Sequence, residues 1–293
     1  MHKRGVKDIS LNMFRGMAMG MADLVPGVSG GTVAFITGIY MRLLDAIRGV
    51  FDILSSGEIL TIISGKGKAR REVLGKIDFA LIIPLLTGIL LSVFILSGAI
   101  IYLVEEHAVA TYSFFIGLVL ASTVMLSRDV DMFRDGRVFI LASGFLFGFT
   151  LAGVPAIFGF SGWTILFISG AIAITAMILP GVSGSLMILM MGQYERMLQA
   201  VNQMDIVSIM IFILGCIIGL WAFSSTLSRL MKEHPGKTKT FLIGLMLGSL
   251  RYQGNIISDN FIGAMTASKV MIFITLGIIS IICLDILARK GAS

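Results

Sequence analysis

The chain has 293 residues, of which 56% are hydrophobic and only 14% charged, with a mean hydropathy of +0.96. Soluble domains carry about 25% charged residues, so this composition excludes an ordinary globular domain and points to the membrane. The formal net charge of +6 is read through topology and not as a nucleic-acid surface.

In chain order, Met1 to Lys7 is short and basic, with no cleavage signal after it, and reads as a retained cytoplasmic end. Apolar stretches then run over about 10–44, 77–104, 109–127, 138–155, 163–200, 206–228, 239–253 and 269–288, several of them the roughly 20 residues that span a bilayer as a helix. The stretches 10–44 and 163–200 are too long for one crossing, and Pro-Gly-Val-Ser-Gly interrupts each. If each is a broken or re-entrant helical hairpin that enters and leaves on one side, every strongly basic loop falls on the cytoplasmic face. These loops carry Arg48, Lys66, Lys68, Arg70, Arg71 and Lys76, then Arg128, Arg134 and Arg137, then Arg229, Lys232, Lys237 and Lys239, and last Arg289 and Lys290. A single crossing at 10–44 would translocate the most basic of them. Residues 50–76 mix apolar side chains with this basic cluster and read either as a segment on the inner leaflet or as a solvated loop. Cys216 and Cys283 lie in apolar segments and give neither a disulfide framework nor a metal site.

The chain also repeats itself. Pro26-Gly27-Val28-Ser29-Gly30-Gly31 recurs as Pro180-Gly181-Val182-Ser183-Gly184-Ser185, and the same offset of 154 matches Gly38 to Gly192, Tyr40 to Tyr194 and Arg42 to Arg196. Residues 115–122 match 242–249 at an offset of 127, the difference being absorbed by the 50–77 loop that the second half lacks. Each half, 1–155 and 156–293, is one hairpin plus three crossings. Three is odd, so the halves are predicted to be inverted, an arrangement transporters use around a midplane site. The fold class predicted is an all-α polytopic membrane protein of two inverted repeats.

At each break proline ends a helix and glycine permits unusual dihedrals, and irregular backbone at membrane depth must be buried or line a polar cavity. The helix that restarts offers free N–H groups to an anion, with Ser29, Thr32, Ser183 and Ser185 adding hydroxyls. A kinked packing motif is the plainer alternative. Gly-Val-Ser-Gly also resembles a hydrolase nucleophile, but the only histidines, His2, His107 and His234, lie at the terminus or in loops. Charges in apolar runs usually face a cavity or a partner. Arg15 and Asp23 flank the first break and join its phosphate site, whereas Ser169 and Met177 stand at the matching positions of the second half. Tyr40, Arg42, Tyr194, Glu195, Arg196 and Arg251 are supporting or coupling candidates, with Asp23 or Glu195 able to carry a coupling proton. For Arg42, Asp45 and Asp285, snorkelling to the interface is the simpler reading. The Gly-x-x-x-Gly pairs and the 19 methionines need only helix packing and apolar filling.

The run Arg15-Gly16, Met19-Gly20, Ala22-Asp23 and Val25-Pro26-Gly27-Val28-Ser29-Gly30-Gly31-Thr32, with its echo Leu179 to Ser185, Gly192, Tyr194 and Glu195, resembles the PopT-like family. This is a former domain-of-unknown-function family now linked to polyprenyl-phosphate transport, and the resemblance covers nearly the whole chain. It implies a transporter, not an enzyme, that returns undecaprenyl phosphate from the outer to the inner leaflet. Its site would be the two motifs, Pro26 to Thr32 and Pro180 to Ser185, plus Arg15 and Asp23. Ser185 replaces the second glycine of the first motif, so the two cradles are unequal. No metal or cofactor is expected; the partners are the polyprenyl phosphate and the bilayer, with a homo-oligomer left open. The rival readings are a transporter or channel for a small soluble anion and a membrane-embedded lipid phosphatase or transferase.

Overall fold

The computed structural model describes residues 6–58, 73–128, 130–131, 134–153, 162–261 and 263–290, and the regular structure among these is entirely helical. Its elements are α1 (Val6–Leu24), α2 (Gly30–Ile36), α3 (Tyr40–Ser55), α4 (Phe79–Glu106), α5 (Ala108–Ser127), α6 (Arg137–Leu151), α7 (Trp163–Ile178), α8 (Gly184–Met190), α9 (Tyr194–Asn202), α10 (Ile206–Glu233), α11 (Pro235–Asp259) and α12 (Gly263–Lys290). Four helical stretches, α4, α5, α10 and Thr266–Cys283 of α12, are long and apolar enough to cross a bilayer. The chain is therefore an all-α, multi-pass membrane protein.

The proline breaks sit where the sequence puts them, after α1 and after α7. Gly27 and Gly181 both take a positive φ, 80° and 87°, which a side chain rarely adopts, and so turn the chain at matching points. The returning limbs α2 and α8 have seven residues each, about 10 Å of helix and far short of a bilayer. The chain turns at Gly38, and amphipathic α3 follows from Tyr40, so the apolar stretch 10–44 holds parts of three helices. The expected span at 138–155 is represented by α6, of 15 residues. Lys3, Arg4, Lys66, Lys68, Arg70, Arg71 and the side chain of Asp285 lie outside the described residues.

Helix boundaries recur at the two offsets of the sequence matches. At 154, α1 and α7 share their ends, α2 and α8 share both ends, and α3 and α9 share their starts; at 127, α4 and α10 share both ends and α5 and α11 their starts. The packing recurs too. Helix α1 lies on α4 and α7 on α10, α5 lies on α12 and α11 on α6, and α5 and α11 meet in the middle. Glycines set these crossings, because a Cβ would collide with a facing carbonyl oxygen: Gly16 with Leu85 and its mate Gly170 with Phe212, Gly88 with Met13 and its mate Gly215 with Phe167. Gly117 faces Ile274 as Gly244 faces Leu141. Small residues admit such close backbone approach in membranes.

Candidate functional site

The two breaks, far apart in sequence, touch. Ser29, fully buried, caps α2 by accepting from Gly31 N at 3.1 Å, and its hydroxyl lies 3.1 Å from the carbonyl oxygens of both Met177 and Leu179, to which it donates. Thr32 Oγ1 accepts from Gly181 N at 2.7 Å, and the buried Tyr40 hydroxyl donates to Ile178 O at 3.2 Å. Gly31 has no room for a side chain, since a Cβ would strike the Ile178 carbonyl. The first motif thus satisfies backbone groups that the second break leaves without helical partners, which a buried site requires.

Helix α11 closes the site. The Gln253 amide donates to Gly27 O at 3.2 Å, Tyr252 packs where a Cβ on Gly27 would go, and Met246 and Ser249 crowd Gly181. Between the breaks lies a cavity of about 10 Å³, roughly one water, lined by Gly27, Gly181, Val182, Ser183, Ser249 and Tyr252, with Gly148, Leu151 and Ala152 of α6 also on its wall. That volume holds nothing larger than a water molecule.

The two tips differ in charge. The Asp23 carboxyl accepts from Gly30 N at 2.7 Å, so an N–H of the first tip is already taken by an internal acceptor, and its Oδ2 is buried with no partner among the described residues. At the second tip Met177 stands in its place, and Ser183, which makes no cap bond, shares a hydrogen bond of 2.9 Å with Ser185. Arg15 is not beside the break. It bonds Asn12 Oδ1 at 3.0 Å and Thr37 O at 3.3 Å, at the opposite end of α2. Eight residues of helix separate it from Asp23, about 12 Å.

The supporting candidates scatter. Arg42 holds Asp78 in a two-pronged ion pair at 2.6 and 3.2 Å, and Asp45 takes Lys232 and Ser228. Arg196 bonds Gly162 O and lies over Trp163, while Tyr194 and Glu195 are exposed and away from the breaks. Arg251 comes nearer: its guanidinium stacks 4.3 Å from the Phe149 ring centre, bonds Phe149 O at 3.1 Å and abuts Gly153, next to the cavity-lining Leu151 and Ala152. Ser249, Tyr252 and Gln253 were not singled out from sequence. The one available signal was that Ser249 ends the second repeat match, opposite Ser122.

Such a molecule is a multi-pass membrane protein whose paired helix breaks border a small cavity beside an arginine. The chain belongs to the undecaprenyl phosphate translocase-like (VCA0040-like) family, whose model matches residues 19–282. It is 40% identical over 236 residues to a polyprenyl-phosphate transporter of Vibrio cholerae serotype O1, covering 80% of this chain and 74% of that protein. It is 30% identical over 258 residues to a polyprenyl-phosphate transporter of Staphylococcus aureus, covering 82% and 84%. No solved structure matches.

Proposed function

We propose that this protein carries polyprenyl phosphate, undecaprenyl phosphate above all, across the cytoplasmic membrane from the outer to the inner leaflet, and that it is not an enzyme. Two inverted repeats, 1–155 and 156–293, each bring a re-entrant hairpin to the midplane, and the lipid phosphate binds where the two Pro-Gly-Val-Ser-Gly breaks meet. The observation that carries this reading is the shared hydrogen-bonded contact of the two breaks, Ser29 to Met177 and Leu179 and Thr32 to Gly181, around the cavity. The recurrence of helix ends and glycine crossings at offsets of 154 and 127 supports the repeat. The names of the two relatives support the substrate.

The chemistry follows from the lining. Ser183, Ser249 and Tyr252 offer hydroxyls, Gly27 and Gly181 let a ligand approach the backbone, and Arg251 supplies a planar cation that pairs well with phosphate. The wall formed by α6 exposes Phe145, Leu146 and Phe149 on its outer side, an apolar route for the lipid tail. Alternating access then consists of parting the tips on one side at a time. With proteoliposomes, undecaprenyl phosphate should raise the thermal stability of the purified protein and move between leaflets, and inorganic phosphate should do neither. Arg251→Ala and Ser249→Ala should each weaken lipid binding by about tenfold, the loss of one good phosphate contact. Equal stabilisation by inorganic phosphate, with no movement of lipid, would leave a small-anion transporter in its place.

A further inference from the structure

The seams α5/α12 and α11/α6 are equivalent, yet only one of them is closed along its length. In the α11/α6 seam two glycines on each helix, Gly244 and Gly248 facing Gly144 and Gly148, bring backbone against backbone over two turns. In the α5/α12 seam the first pair is kept as Gly117 and Gly277, but Ala121 and Ile281 replace the second. Beyond it the helices part into a groove of about 220 Å³, walled by Leu120, Val124, Met125, Ile278 and Ile282, with Arg128 at its end. At the position matching Val124 the other seam carries Arg251, folded onto Phe149. Val124 is 57% exposed, and the Arg128 side chain, also exposed, has no ion pair or hydrogen bond among the described residues.

We propose that this groove is a second lipid station, which holds the apolar chain of one polyprenyl phosphate with the phosphate on Arg128. This rests on the transport reading above. Both flanking stretches are apolar enough to cross the bilayer, so the groove faces lipid tails and not water. Its wall is apolar, and its one cation stands at the terminus of α5, the level at which charged side chains reach a headgroup. A lipid with a single chain and a terminal phosphate places the phosphate-proximal part of that chain against Val124 and Ile282 and its charge against one guanidinium, which pairs bidentately with phosphate oxygens. Helix α5, one wall of the groove, also packs on α11, which lines the central cavity.

Native mass spectrometry of the full chain titrated with undecaprenyl phosphate tests this. Wild type should take up two lipids. Val124→Trp, which fills the groove from an exposed position, should take up one, and Arg128→Gln should weaken the second binding by about tenfold. A single lipid on wild type, a second lipid that persists unchanged in both variants, or its displacement by equimolar phosphatidylglycerol would overturn the station while leaving the central site standing. No lipid on wild type at all would instead remove the transport reading.

Discussion

A carboxylate and a phosphate that seek the same few N–H donors compete, and at the first break the carboxylate is built in. Asp23 takes Gly30 N at 2.7 Å with its second oxygen buried and without a partner among the described residues, so a phosphate drawn to that tip would find this N–H already occupied. The second tip has Met177 there and no such obstacle. Asp23→Asn leaves only a weaker, neutral acceptor for Gly30 N, so undecaprenyl phosphate should bind it several-fold more tightly in a titration of the purified protein. Asp23→Ala removes the acceptor as well and should lose about 1–3 kcal/mol of stability, the cost of a buried N–H left unmade. Unchanged affinity in both would remove the competition. Asp23, Ser29 and Thr32 meet at the tip contact because their partners, Gly30, Leu179 and Gly181 among them, lie in the two motifs. Arg15 precedes Asp23 by eight helical residues, about 12 Å, and it is the return of the chain through α2 that sets it beside Thr37 and away from the tip. Tyr252 carries no sequence signal and Ser249 only its place at the end of the second repeat match, since the packing of α11 brings both to the cavity.

Among elements, the breaks and helix ends were readable because proline and glycine act locally, through a missing donor and a permitted φ. The extent of α3 was not, because its charged residues interrupt the apolar run while two of them, Arg42 and Asp45, find partners on neighbouring elements. The glycines of the first hairpin separate two causes that sequence cannot tell apart. Gly38 has a φ of 72° but open space around it, whereas the Cβ position of Gly31 is occupied by the Ile178 carbonyl across the tip contact. Gly38→Ala should therefore cost about 1–2 kcal/mol, the left-handed penalty alone. Gly31→Ala, at an ordinary helical φ, must push the tips apart and should destabilise more and abolish transport. Thermal unfolding in detergent beside a transport assay would expose the reverse order, which would mean that the tip contact is dispensable. Ser185, the mate of Gly31, shows that the second tip tolerates a side chain where the first does not.

At the scale of the molecule, further pairs of residues recur at the offset of 127 found in the second sequence match. His107 and His234, 127 apart, each join two long helices with nearly the same backbone angles, φ −129° and −132°. In each turn a threonine four residues on, Thr111 or Thr238, donates its hydroxyl back to a carbonyl eight residues earlier, Leu103 or Leu230. Asp78 and Asp205 likewise stand at the starts of α4 and α10. Equivalent turns in parallel repeats would emerge on one side of the membrane; in inverted repeats they must emerge on opposite sides. Both histidines are exposed, so His107→Cys and His234→Cys, each in a background lacking Cys216 and Cys283, report their sides directly. A membrane-impermeant maleimide added to intact cells should label position 107 alone, and the same reagent on inverted vesicles should label position 234 alone. Labelling of both from one side would make the repeats parallel. The two breaks would then approach the midplane from the same face, and rocking one repeat against the other could not expose the phosphate site to each leaflet in turn.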